Sequence, residues 1–175
     1  DMLIDIAKQQ LRKAGWYEGR KIDLSKYEEA YAEVGCKLFP AARKFLEEYG
    51  DLDIQDKYIS TATYENGDHF IVINRSLIDV AYCCYPRDLE LEKMVDELFH
   101  QKILRVGAID HGNIDIYISE DGRFFVNWYF DGLWAENSDQ LWNEYYGEEY
   151  GRASWEDLKA GKGRTMFKKK VKKYL

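Results

Sequence analysis

Apolar residues recur at helical spacing over the first fifty positions. The stripe from Leu3 to Ala14 predicts a short amphipathic helix. A second helix is expected to begin at Ser25, because Glu28 stands three residues later in the pattern of a capping box. A third stripe runs from Phe39 to Tyr49, and Pro40 suits its first turn. The chain therefore opens with three helices.

A strand and two more helices are expected between residues 69 and 99. The run from His69 to Asn74 is largely apolar and β-branched, which predicts a buried strand. Apolar positions between Leu77 and Cys84 repeat at i, i+3, i+4 and i+7, and they predict a helix capped by Asn74 or Ser76. The next helical stripe extends from Leu91 to Phe99.

The period then changes from 3.6 to 2. Strands are predicted at residues 103–109 and 114–119, and Asp121-Gly122 predicts the turn of a hairpin whose returning strand begins at Phe124. That strand carries aromatic residues on both faces, since Trp128 and Phe130 lie on one face and Phe125 and Tyr129 lie on the other. Either one face meets a protein partner, or helices cover both faces of the sheet.

Helical spacing returns between Trp134 and Tyr145, and a short helix with a Ser-x-x-Asp start is expected over residues 154–158. Strands grouped in the middle, with helices before and after them, predict an α+β domain with a mostly antiparallel sheet flanked by helices. With 175 residues, the chain has room for one such domain and an appendage.

Charge is distributed very unevenly. Residues 159–175 contain no acidic residue, and residues 1–158 hold the 17 other basic residues against all 32 acidic ones, a formal charge of −15. Clustered acidic charge repels phosphate backbones and accelerates encounter with basic partners. A basic run is typically a solvated or disordered end. The basic residues of this run are Lys159, Lys162, Arg164, Lys168, Lys169, Lys170, Lys172 and Lys173.

Motifs that carry chemistry are missing from the sequence. It contains no phosphate-binding glycine loop, nucleophile elbow, H-E-x-x-H or C-x-x-C pattern. The three imidazoles, His69, His100 and His111, stand apart, and adjacent carboxylates such as Glu47-Glu48 fit solvated helix faces better than a paired-acid site. A zinc site built on Cys83 and Cys84 is disfavoured because vicinal helical side chains diverge. No catalytic residue, metal or cofactor is predicted.

Cysteine usage indicates a reducing compartment. Cys36, Cys83 and Cys84 are odd in number, and the adjacent pair cannot easily close a relaxed disulfide. No apolar run approaches the ~20 residues that span a bilayer. We therefore expect a cytoplasmic protein without a membrane partner.

The opening of the chain resembles the SUKH superfamily, specifically its third subfamily. The resemblance rests on Ala14-Gly15-Trp16, on Gly19-Arg20, and on the run from Phe39 to Leu52. It continues through residues 70–73, 104–107 and 114–126 to a closing helix near 134–145. Asp51 and Arg105 depart from the family's usual Gly and Pro. The expected domain is 1–146, followed by a C-terminal extension, 147–175, with a lysine-rich tail.

The resemblance implies an immunity protein of bacterial polymorphic or contact-dependent toxin systems, which binds and blocks a cognate toxin domain and has no catalytic residues. The acidic body favours a basic toxin, such as a nuclease, neutralised by stoichiometric occlusion. Alternatives are a regulatory scaffold module that binds a cellular protein, or a hydrolase with an unrecognised site. The predicted partner-binding residues are acids and aromatics after the hairpin: Tyr129, Asp131, Trp134, Glu136, Glu144, Glu148 and Glu149.

Overall fold

The computed structural model describes residues 2–83, 87–127 and 132–175. Within those ranges the chain forms seven helices and nine strands, which confirms the predicted α+β class. The helices are α1 (Asp5–Lys13), α2 (Ser25–Glu33), α3 (Pro40–Tyr49), α4 (Val80–Cys83), α5 (Leu89–Phe99), α6 (Ser138–Tyr146) and α7 (Trp155–Lys159). The strands are β1 (Leu52–Thr63), β2 (His69–Ile78), β3 (Ile103–Ile109), β4 (Ile114–Ser119), β5 (Phe124–Asn127), β6 (Gly132–Ala135), β7 (Glu149–Ser154), β8 (Thr165–Lys168) and β9 (Lys173–Tyr174).

The strands of the described ranges form one sheet in the order β8-β7-β6-β5-β4-β3-β2-β1-β9. Every neighbouring pair is antiparallel. From β1 to β8 the order in the sheet follows the order in the chain. The last strand then returns to the opposite edge, where it pairs with β1.

This return requires a strongly curled sheet. In a flat sheet, β8 and β9 would lie about 38 Å apart, because neighbouring strands are spaced by about 4.8 Å. The connection from Lys168 to Lys173 can span at most about 17 Å. The two edges therefore approach each other, and residues 169–172 bridge them. We call residues 165–175 the strap.

The concave face of the sheet carries the main core. Apolar faces of α1, α2, α3 and α6 pack there, and aromatic rings lie at the centre. The Tyr49 ring lies 5.1 Å from that of Phe45 and 5.4 Å from that of Trp142, and Phe45 meets Phe124 at 5.1 Å. The helical stripes of the sequence thus produce this layer.

Two helices cover part of the convex face. The Phe125 ring is fully buried, with its centroid 5.7 Å from those of both Phe99 and Trp155. These partners belong to the end of α5 and the start of α7. Helices on both faces therefore account for the two-sided aromatic pattern of β5, within the residues that the structure describes.

The predicted helix over 77–84 is wrong in its first half. Strand β2 continues to Ile78, and among the described residues the helix comprises Val80–Cys83; Cys84 lies outside them. Asn74 and Ser76, expected as helix caps, are buried strand residues instead. The predicted strand at 69–74 exists, but its first half is largely exposed rather than buried.

Helix starts were predicted with mixed success. Ser25 lies in the first turn of α2 rather than at its N-cap, and its N–H binds the Asp23 carboxylate. The second capping box is present, because the Ser154 side chain and that of Asp157 bind each other's backbone N–H groups. Trp134 lies on β6 and not on a helix; α6 is capped by Asn137.

Candidate protein-binding surface

The predicted binding residues lie on both sides of α6. Trp134 and Glu136 precede the helix, Glu144 lies in its last turn, and Glu148 and Glu149 follow it. Strands β6 and β7, which flank α6 in the chain, are paired neighbours in the sheet. Tyr129 and Asp131 fall outside the described residues. Burial therefore decides which of the described members can contact a partner.

Two of the predicted residues are buried. Trp134 is 8% exposed, and its ring lies 6.2 Å from that of Tyr145. Glu144 is 6% exposed; its carboxylate pairs with the Arg164 guanidinium and accepts the Gly151 N–H. Burial raises the pKa of the Glu144 carboxyl, and the charge of Arg164 opposes that rise. Both side chains stabilise the folded structure, so the proposed binding surface does not include them.

The other three predicted acids are exposed. Glu136 lies just before α6, where its backbone N–H donates to the Gln140 side chain at 2.6 Å. Glu148 and Glu149 lie at the start of β7. Their carboxylates face solvent, which is what a rim contact to a basic partner requires.

The strap lies directly beside two of these acids. Glu149 is opposite Lys168 in the β7–β8 pairing, and the Lys169 N–H donates to the Glu148 carbonyl at 2.7 Å. The basic run is thus paired with the sheet at this point, and it does not extend away as a solvated end. In space, the acidic and basic parts of the sequence are adjacent.

Lys169 is the strap's most enclosed lysine. Its ammonium donates to the Tyr145 carbonyl at 2.7 Å and lies over the rings of Tyr145 and Tyr150, 5.9 and 5.7 Å from their centroids. Burial, and to a smaller extent the charge of nearby Lys172, lowers the pKa of the Lys169 ammonium to about 8. This contact fixes the strap across the end of α6.

A buried polar cluster lies under the strap. Asp56, on β1, accepts hydrogen bonds from the Gln10 amide at 2.9 Å and from the Tyr146 hydroxyl at 2.9 Å. Burial raises the pKa of the Asp56 carboxyl, and these two hydrogen bonds oppose the rise. The Asn74 amide donates to the Tyr145 hydroxyl at 3.0 Å. Gln10 and Asp56 are thereby paired inside the protein, whereas only the amide nitrogen of Asn74 is paired and its Oδ1 has no hydrogen-bond partner.

The end of the strap closes over this cluster. The Tyr174 ring contacts Tyr146 and Tyr58 with centroid distances of 5.7 and 6.1 Å. The Lys172 ammonium lies 4.4 Å from the centroid of the Tyr58 ring. The Lys13 ammonium on α1 donates to the Leu175 carbonyl at 2.6 Å. The strap therefore joins α1, β1 and α6.

The histidines and the cavities do not assemble a recognisable reactive site. The three histidines are exposed and stand apart: His69 lies on β2, His100 directly follows α5, and His111 lies between β3 and β4. A groove of about 490 Å³ lies between the α2–α3 connection and α5, and Cys36 lines it. Burial raises the pKa of the Cys36 thiol, so the reactive thiolate is disfavoured.

The described ranges contain neither a metal-binding cluster nor a helix suited to crossing a membrane. Across residues 2–83, 87–127 and 132–175, no three or more His, Cys, Asp or Glu side chains are placed to hold a metal ion. Among the helices of the same residues, none combines the length and the apolar character that crossing a bilayer demands.

Sequence reasoning missed the residues that hold the strap. Arg164 was counted only as one charge of a basic run, although Gly163 and Thr165 interrupt the lysines around it. Asp56 interrupts an alternating pattern of Leu52, Ile54 and Tyr58, and that alternation was the available signal for β1.

Comparison with known proteins gives one family. A family model described as SUKH-3 immunity protein matches residues 5–146, from the start of α1 to the end of α6. No curated protein and no solved structure matches the chain significantly. The matched range contains the first six strands and every buried member of the main core except Leu3.

Proposed function

The chain belongs to the SUKH-3 immunity protein family, and we propose that it neutralises a cognate toxin domain by binding it in a stoichiometric complex. The observation that carries this proposal is the family match, which spans every element from α1 to α6. Protection then follows from occlusion and involves no catalytic step. We place the complex in the cytoplasm, where a toxin that attacks intracellular targets acts.

The exposed acids support a basic partner. Glu136, Glu148 and Glu149 are exposed around α6, and α2 adds an exposed acidic turn at Glu28 and Glu29. Toxins that cleave nucleic acids need basic surfaces to hold phosphates, and an acidic inhibitor is attracted to such a surface before contact. A nuclease is therefore the toxin class that this surface fits best.

The direct test uses the C-terminal domain of the protein encoded immediately upstream of this chain. We expect the two proteins to purify as a 1:1 complex, and we expect co-expression to restore growth. If that domain neither binds nor is neutralised, the immunity proposal fails and a scaffold role gains support. An activity assay titrated with the chain should end at one equivalent, since an enzymatic antidote would act below it.

Charge reversal tests the acidic surface. The double variant Glu148→Lys/Glu149→Lys should slow association about tenfold at low salt, because rim charges act mainly on the association rate. The matched control is Asp96→Lys/Glu97→Lys, which changes the net charge equally on exposed positions of α5. Equal slowing by both variants would assign the effect to net charge rather than to this surface.

Salt supplies a second measurement. Raising ionic strength shortens the screening length from about 10 Å at 0.1 M to about 3 Å at 1 M. The association rate should therefore fall steeply over this range while the dissociation rate changes little. A rate that does not depend on salt would contradict the acidic-surface mechanism and leave the family assignment untouched.

A further inference from the structure

The distal half of the β1–β2 hairpin projects from the sheet. Pairing between β2 and β3 is confined to Leu77 and Ala108. The turn after β3 contacts β2 at residues 74–76, where the His111 N–H donates to the Arg75 carbonyl at 2.8 Å and the Asn74 amide donates to the Asp110 carboxylate at 3.0 Å. Beyond that point β2 pairs with β1 alone among the described residues. We call residues 57–73 the arm.

The convex face of the arm is apolar and exposed. Ile59 lies opposite Ile71 in the pairing, and Ile73 lies opposite Lys57, so all four share one face. Ile71 is 63% exposed and Ile73 is 50% exposed. Helices α5 and α7 cover this face of the sheet further along, over β3 to β7. Over the arm no described helix covers it.

The strap extends the apolar patch at the edge. Lys173 pairs with Ile59, and the Leu175 N–H donates to the Lys57 carbonyl at 2.9 Å. Strand alternation places Leu175 on the same face as Lys173, because Tyr174 between them faces the core. Leu175 is 51% exposed. The patch therefore consists of Ile59, Ile71, Ile73 and Leu175, rimmed by Lys57 and Lys173.

The rim lysines form no ion pair within the part of the chain that the structure describes. Neither Lys57 nor Lys173 is within ion-pair distance of a carboxylate in the described residues, whereas nearby Arg75 binds both oxygens of Asp53 at 2.9 and 2.8 Å. A partner that covers the isoleucines brings its own groups close to these two ammoniums. Carboxylates would pair with them, and cations would be repelled.

We infer that the convex face of the arm is a second contact site for the toxin. This face binds an apolar depression on the toxin surface that is edged with carboxylates. This inference rests on the proposed function and specifies where the toxin binds. A projecting two-stranded arm fits a concave partner surface. The patch is also continuous with the predicted acids, because the strap runs from Lys168, opposite Glu149, to the arm in five residues.

The area of the patch indicates that it is part of a larger interface. Three half-exposed aliphatic side chains and the less exposed Ile59 offer on the order of 300 Å². A specific protein complex buries about 800 Å² on each partner. The arm alone is therefore too small for a stable contact, and the inferred interface also includes the strap and the acids at β7.

The test is affinity for the purified C-terminal domain of the upstream-encoded protein. The variant Ile71→Glu/Ile73→Glu should bind it about 30-fold more weakly, as expected for loss of an apolar anchor. Ile71→Thr/Ile73→Thr keeps the β-branched shape and should weaken binding about fivefold with unchanged melting temperature. The control Leu89→Glu changes an equally exposed aliphatic residue on α5 and should have no effect.

Reversing the rim charges tests the acidic edge of the depression. Lys57→Glu/Lys173→Glu should also weaken binding, by about tenfold, although it makes the chain more acidic. Tighter binding by this variant would overturn the inference. So would arm variants that bind within twofold of the unaltered chain, while the immunity proposal would stand.

Two further outcomes separate the possible occupants of the face. If light scattering shows a dimer of the unaltered chain that Ile71→Glu abolishes, a second copy covers the arm and the inference is wrong. Hydrogen exchange gives the positive result: amides of residues 57–63 and 69–73 should become protected on adding the upstream-encoded domain. If the unaltered chain does not bind that domain at all, both proposals fail together.

Discussion

Residues 5–146 match a family, and residues 147–175 do not, yet both parts build the same sheet. The matched part contributes helices whose apolar stripes form the main core. The C-terminal part contributes short strands at the two edges and is held by individual polar and aromatic contacts. The limit of the family match is therefore not a limit of the hydrogen-bonded structure.

The difference lies in how each part is stabilised. The matched part of the chain is characterised by helical and strand periodicity, and that periodicity is spread over many positions. The C-terminal part depends on single residues, among them Arg164, Lys169 and Tyr174. Single substitutions should consequently have large effects there, and the following measurements test that expectation.

Arg164→Ala should have the largest effect. It leaves the Glu144 carboxylate buried without its cation, and breaking a buried ion pair in this way costs about 3–5 kcal/mol. Denaturant unfolding measures the loss. The control Lys93→Ala removes an exposed pair with Glu97 and should change stability by less than about 0.5 kcal/mol. Equal, small losses would mean that the segment is not anchored by this pair.

Tyr174→Ala should come next, with a loss of about 2 kcal/mol. The substitution removes ring contacts to Tyr146 and Tyr58 and the apolar area that they bury. Tyr17→Ala is the matched control, since that ring is 59% exposed. Thermal unfolding of both variants measures the difference. If the Tyr174 variant is as stable as its control, the ring contacts of the strap do not stabilise the fold.

Asp56→Asn should show a smaller effect that depends on pH. Because burial raises the pKa of this carboxyl in the folded state, its contribution to stability is largest at acid pH and declines as pH rises through the folded pKa. The variant should therefore gain stability relative to the parent as pH rises above the ordinary titration range of a carboxyl group. Glu65→Gln, at an exposed position, provides the baseline. A variant whose stability falls relative to the parent as pH rises would contradict this prediction.

Lys168→Gln/Lys170→Gln should have the smallest effect, within about 0.5 kcal/mol. Both side chains are exposed, and isolated surface charges contribute little to stability. Urea unfolding of this variant, beside that of Arg164→Ala, measures the contrast within one segment. A loss comparable to that of Arg164→Ala would show that general charge attraction holds the segment, rather than individual contacts.

Most helices and the central hairpin could be predicted from the sequence, because periodicity reports which face is buried. The patterns failed where buried polar groups interrupt them. Asn74 and Ser76 resembled helix caps because both are polar, but they are buried in β2 beside the Tyr145 hydroxyl. That hydroxyl comes from α6, about seventy positions later, and no local pattern reports it.

The candidate surface was predicted less well for the same reason. Exposure of Glu136, Glu148 and Glu149 agrees with their acidic type, whereas the burial of Glu144 depends on Arg164, twenty positions later. The arm was not predicted because isoleucines in a strand normally indicate a buried face. Only the three-dimensional arrangement shows that α5 and α7 stop short of it.

The contact between Lys13 and Leu175 joins positions 162 residues apart. Contacts of such separation slow folding, because the intervening chain must be ordered before they form. During translation at about 5–20 residues per second, β1 would wait on the order of ten seconds for β9 to be made. Throughout that interval the outer edge of β1 lacks its partner strand, and an unpaired edge readily joins other chains. A nascent chain of this protein should therefore be prone to aggregate through β1 until β9 has been made.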